Sequence, residues 1–159
     1  MRASIFGLMP LGNPMETERA LPLALRAAYL ALHRRTDARF AKLAVTADQF
    51  VLLASLADGL ALTQSELAKR ISSDPSTVRA MLVLLEENGL VNRGSHPTDA
   101  RAKTVSLTAA GKRMHKKLWK AGQSIRDDMC GCMSAEDGDM LLVLLRKLEV
   151  ALNNEVVLT

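Results

Sequence analysis

Cysteine is nearly missing from this chain: 159 residues hold two, Cys130 and Cys132, one glycine apart. Such a pair offers no disulfide framework, and cysteine scarcity of this kind fits a reducing cytosol. As part of a zinc site it is incomplete even with His115 as a third ligand, because structural zinc sites usually show two well-spaced ligand pairs. Histidine is also sparse, with three scattered residues, and there is neither a glycine-rich phosphate loop nor a nucleophile elbow. The expectation is a protein that is not an enzyme and carries no cofactor or metal. Long apolar runs are absent too. Even Met140 to Leu145 is soon broken by Arg146 and Lys147, so no membrane span is expected. At the N-terminus Gly7, Pro10, Gly12 and Pro14 interrupt the apolar residues before a signal-peptide core could form. A cytoplasmic protein is therefore expected.

What is present is an ordinary globular composition, 48% hydrophobic and 24% charged, at a length that suits one domain. A net charge of +4 is a mild pointer to an anionic partner. Residues 1–16 lack periodicity and read as an arm. From about Thr17 to Leu43, Leu21, Leu25, Ala28 and Leu32 keep a helical repeat. The basic residues that follow, Arg34, Arg35, Arg39 and Lys42, suit a solvated face. Thr46 and Gln49 form a capping box for a second helix, with Val45 and Phe50 as its hydrophobic staple.

The most informative stretch is Thr63 to Leu107. Thr63 with Glu66 three residues on is another capping box, and the helix it opens runs to about Ile71. Ser72 and Ser73 make a turn, Asp74 is the next N-cap, and Pro75 stands at the first helical position, where its missing N–H costs nothing. Two helices separated by so short a turn form a helix-turn-helix. In the second, Val78, Met81, Leu82 and Leu85 make one apolar stripe, which places Ser76, Ala80, Val83 and Glu87 opposite it, flanked by Thr77 and Arg79. A small, hydrogen-bonding outward face with one arginine suits a major groove. Gly89 supplies a left-handed stop. Val91 to Arg93 and Lys103 to Leu107 alternate as half-buried strands do, joined by a turn segment. Its tip offers His96, Arg101 and Lys103 to a DNA backbone or minor groove. Thr63 and Gln64, at a helix N-terminus, are candidate phosphate contacts.

Beyond the hairpin, Thr108 caps a basic helix expected to weaken only around Gly131. Ser134 with Asp137 then starts a last helix. There Leu141, Leu144, Leu145, Leu148 and Leu152 form a stripe, while Leu142, Val143 and Val150 are apolar outside it. A helix greasy on more than one side calls for two partners, the protomer's own first helix and a second subunit.

The phrases Leu62-Thr63-Gln64-Ser65-Glu66-Leu67-Ala68, Asp74-Pro75-Ser76-Thr77-Val78, Leu85-Glu86-Glu87-Asn88-Gly89-Leu90-Val91 and Asp99 to Gly111 resemble the winged helix-turn-helix of the MarR family of transcription regulators. The resemblance implies a homodimer joined through the first and last helices, bound to a roughly palindromic double-stranded operator. In many members a small aromatic or phenolic effector releases the DNA, so a repressor is expected. Ser76, Thr77 and Arg79 match the family's groove-facing positions. Asp99 and Arg101 match the wing's Asp-x-Arg, in which Asp99 would orient Arg101. The chain departs from the family where many members carry further cations on the recognition helix, since Ala80 and Val83-Leu84 stand there. Either Val83 and Ala80 touch thymine methyls, or this helix contributes less and the wing more.

The expected fold is thus mainly α. Residues 17–44 and 108–159 form a dimerisation base around a winged helix-turn-helix at 46–107. DNA contacts are expected from Thr63, Gln64, Ser76, Thr77, Arg79, Ala80, Val83, Arg93, His96, Asp99, Arg101 and Lys103. Tyr29, His33, Phe50 and Trp119 are candidates for an effector crevice, a site such pockets favour when apolar with a few polar groups. A winged helix that binds another protein and no DNA is the alternative.

Overall fold

A computed structural model describes residues 14–59, 61–95 and 103–154. Seven helices and a small sheet follow one another: α1 (Pro14–Phe40), a 3-10 turn (Ala41–Leu43), α2 (Ala47–Ser55), β1 (Leu62–Thr63), α3 (Gln64–Arg70), α4 (Pro75–Glu87), β2 (Val91–Ser95), β3 (Lys103–Leu107), α5 (Ala109–Ala121), α6 (Gln123–Gly131) and α7 (Ala135–Asn154). The fold is mainly α, as the sequence implies.

Each helix start that the sequence marks is made by the expected side chain. The Thr46 hydroxyl accepts from the Gln49 N–H at 3.2 Å, and Gln49 Oε1 accepts from the Thr46 N–H at 3.1 Å. The Thr63 and Glu66 pair does the same for α3, and Thr108 accepts from the Gly111 N–H at 2.9 Å. These bonds satisfy amides that have no partner within the helix.

Several boundaries differ from the sequence reading. α1 begins at Pro14 and not at Thr17, so Pro14, Met15 and Glu16 belong to the helix and not to an arm. A proline is well tolerated at a first helical position. The helix expected to run from Thr108 to about Gly131 is divided at Gly122, a buried residue where a Cβ would lie 3.2 Å from Arg126 Nη1 and 3.7 Å from Phe40 Cζ. Phe40 of α1 packs against that break, a constraint that only the tertiary structure supplies. A two-residue strand, β1, was not foreseen. It pairs antiparallel with β3, Leu62 opposite Val105, giving the sheet order β1-β3-β2.

The core lies under the helix-turn-helix, where Leu52, Leu53, Leu56, Leu67, Val78, Leu82, Leu85, Val91 and Leu118 are fully buried. Phe40 joins it from α1, edge-on to Phe50 at 5.2 Å. α5 approaches the residue before β2 so closely that a Cβ on Gly111 would fall 2.0 Å from the Leu90 carbonyl oxygen. α7 stands apart. None of its described side chains is buried, and Leu141, Leu142, Val143, Leu144, Leu145, Val150 and Leu152 are exposed. Among the described residues, no side chain of α7 is buried against the protomer's own first helix. α1 is equally bare at Leu21, Leu23, Leu25, Tyr29 and Leu32.

Candidate nucleic-acid interface

The start of α4 is built around one carboxylate. Asp74 Oδ1 accepts from the Ser76 N–H at 3.0 Å, the Thr77 N–H at 2.9 Å and the Ser76 hydroxyl at 2.5 Å. The side-chain bond from Ser76, then those from Thr77, hold the Asp74 carboxyl far below the usual carboxylate range. The Ser76 hydroxyl hydrogen is thereby committed to the cap, which leaves its oxygen as an acceptor. Gln64 Nε2 donates to the Pro75 carbonyl at 3.1 Å, so Gln64 fixes α3 against the first turn of α4.

Val78, Leu82 and Leu85 face the core with Met81 half-buried. The opposite face of α4 is open, with Ser76, Thr77, Arg79, Ala80 and Val83 all exposed. Arg79 has no ion-pair partner among the described residues. Glu86, a candidate partner for it, pairs instead with Arg93 of β2, Nε to Oε2 2.9 Å. That contact is an ion pair without hydrogen-bond alignment, since Arg93 Nε and Nη2 are buried with no hydrogen-bond partner among the described residues. Arg93 therefore points back to α4. Lys103 is exposed at the start of β3. Thr63 is half-buried, its hydroxyl shared with Glu66 at 2.8 Å. His96, Asp99 and Arg101 lie outside the described residues.

The turn before α4 has a feature that sequence reasoning missed. Ser72 adopts a left-handed conformation, φ 50°, and its hydroxyl donates to Glu149 Oε1 of α7 at 3.0 Å. No local signal marks a serine for that conformation.

The four residues expected around an effector fall into two groups. Tyr29 and His33 meet at 5.6 Å on α1. Phe50 reaches Trp119 through His115, which stacks on Phe50 at 5.8 Å and lies 6.4 Å from Trp119. His115 was not among the expected residues, although its spacing of four from Trp119 puts both on one helix face. Burial pushes the His115 imidazole below its ordinary value, opposed by the charge of Asp58. The Arg126 guanidinium sits 3.8 Å over the Trp119 ring, across the break at Gly122.

Residues 45–103 match the MarR family model. Over 144 residues the chain is 31% identical to the HTH-type transcriptional repressor NicR of Pseudomonas putida, spanning 87% of this chain and 89% of that protein. The chain belongs to the MarR family. It is also 30% identical to the transcriptional regulator HosA of Escherichia coli, over 65% of this chain and 77% of that protein. Among solved structures, a mutant Escherichia coli MarR complexed with operator DNA is similar, with a TM-score of 0.74 and 25% identity over 86% of this chain and 99% of that one. Wild-type MarR without ligand gives a TM-score of 0.68 at 26% identity, covering 89% of this chain and 98% of that one. The chain is a transcriptional regulator of MarR type. No helix among the described residues is long and apolar enough to cross a membrane.

Proposed function

We propose that this chain is a homodimeric repressor that binds a pseudo-palindromic operator and releases it on binding a small aromatic or phenolic effector. The observation that carries the DNA-binding part is the open face of α4, where Ser76, Thr77 and Arg79 stand exposed opposite the buried Val78, Leu82 and Leu85. Side chains of this kind at the N-terminal half of a recognition helix can reach base edges and phosphates. Ala80 and Val83 bring apolar contact to the same groove. Arg101 and Lys103 of the wing are proposed to supply the charge that α4 lacks, with Asp99 and His96 as further proposed contacts. Thr63 and Gln64 lie where a helix N-terminus meets a phosphate. Operator DNA bound to the similar MarR structure supports this reading.

The second copy is called for by the exposed leucines of α7 and α1. Burying one such side chain contributes about 1.5–3 kcal/mol, and monomers rarely leave so long an apolar face in water. Tyr29, His33, Phe50 and Trp119 are proposed to flank the effector, with His115 between Phe50 and Trp119. An effector wedged between base and head would favour a head spacing that mismatches successive major grooves.

The deciding experiment is DNA binding across a salt series, with DNA from beside the gene as probe and random duplex as control. The proposal predicts a preference for the flanking DNA, and a slope in log–log form that falls by about one counterion in Arg101→Ala. An affinity that ignores salt would overturn it. It would favour the other reading, a winged helix that docks on protein, for which the exposed apolar Val83 and Leu84 of α4 are the specific observation.

A further inference from the structure

His33 is bracketed by two carboxylates. Nδ1 lies 3.2 Å from Asp37 Oδ2, one turn on in α1, and Nε2 lies 3.4 Å from Asp48 Oδ1, in the first turn of α2. Asp37 is engaged a second time, because its Oδ1 accepts from the Ala47 N–H, the first amide of α2, at 2.7 Å. One imidazole and one carboxylate thus span the junction between α1 and α2. The other neighbours do not compete for the ring. Tyr29 lies tilted against it on α1, and His115 of α5 is turned to Phe50. Arg126 of α6 covers Trp119, and Arg35 and Arg39 are spent on Asp128 and Ser124 of α6.

A neutral imidazole has one N–H and one lone pair, so it can donate to only one of two facing carboxylates. Nε2 is aligned for a hydrogen bond to Asp48, whereas the Nδ1–Asp37 contact is an ion pair without hydrogen-bond alignment. A cationic ring is drawn to both carboxylates by its charge, while a neutral ring is held by the single hydrogen bond. We propose that His33 is a proton-operated clasp between α1 and α2, closed when the ring is cationic and half-open when it is neutral. Histidine is the side chain whose ordinary charge change lies between about pH 5 and 8. α1 belongs to the proposed dimer base and α2 to the proposed reading head. That consequence, a head held more or less firmly on its base, rests on the function proposed above; the clasp itself does not.

The test therefore uses the protein without DNA. Nitrogen-15 spectra of the His33 ring, followed across a pH series, are expected to show the second ring proton leaving as the contact between α1 and α2 loosens. Amide exchange at Ala47 and Asp48, corrected for the intrinsic rise of exchange with pH, is expected to lose about fivefold protection as the ring becomes neutral, the scale set by one hydrogen bond. In His33→Gln that dependence is flat. Asp48→Asn, which leaves a single carboxylate that the neutral ring can satisfy, flattens it as well and provides the check should His33→Gln fail to fold. Protection at Ala47 that does not follow the protonation of the ring, or an unchanged exchange profile in both variants, overturns the clasp. Either result leaves the DNA-binding reading untouched, and absence of DNA binding leaves the clasp standing.

Discussion

Arg93 of β2 lies with its Nε 2.9 Å from Glu86 Oε2 in the last turn of α4, tying the first wing strand to the helix that precedes it. The arginine is three-quarters covered, so the pair is screened less than a surface contact. A double-mutant cycle on Arg93→Ala and Glu86→Ala is expected to give a coupling of about 0.5–1 kcal/mol, the upper part of the range for accessible pairs. Because the charge of Arg93 is already committed, Arg93→Ala should leave the salt slope of DNA binding unchanged. A slope reduced by about one would show that Arg93 turns to a phosphate instead.

Gly111 is held against the backbone of the wing. A methyl group there meets the Leu90 carbonyl oxygen at 2.0 Å, and a backbone atom cannot swing aside as a side chain can. Gly111→Ala is expected to cost about 3 kcal/mol, the upper end for overpacking, read as a lower urea midpoint. Gly131→Ala is the control, since nothing lies within 4 Å of its added carbon; it should fold normally.

The cap at Asp74 makes a prediction about acid. Its folded carboxyl is depressed by hydrogen bonds from Ser76 and Thr77, so the stability it contributes is present above the ordinary aspartate value, about 3.9. That contribution is lost as pH falls through the lower folded value. Asp74→Ala should therefore melt below the wild type at neutral pH, and the gap should narrow as pH drops below about 3.9. A gap that stays constant down to strong acid would mean that the cap acts without its charge.

On α7, Leu142 is exposed outside the leucine stripe in the protomer. Sedimentation velocity at micromolar concentration is expected to show a dimer, and Leu142→Glu should weaken it by about a hundredfold, the equivalent of some 2.7 kcal/mol. A monomeric wild type would remove the proposed base.

What could be read from the sequence was local. The caps at Thr46, Thr63, Asp74 and Thr108 depend on atoms two or three residues apart, so their chemistry is written in consecutive letters, and Gly89 adopts the left-handed conformation expected of it, φ 67°. The features that escaped notice depend on distant partners. The division at Gly122 depends on Phe40 from α1, the left-handed Ser72 is met by Glu149 of α7, and β1 is held by β3. The pair of Arg93 with Glu86 reaches across a turn, at a spacing that no helical or strand period flags. The leucines of α7 signalled an unmet need for cover correctly, but not that the whole helix would lack it within one protomer.

Trp119 is the single tryptophan of the chain, and the guanidinium resting on it belongs to the helix beyond the Gly122 break. A cation on an indole face alters its emission, so the molecule carries its own optical gauge of the angle between α5 and α6. Any rearrangement at that joint should be visible in the intrinsic fluorescence of the unlabelled protein.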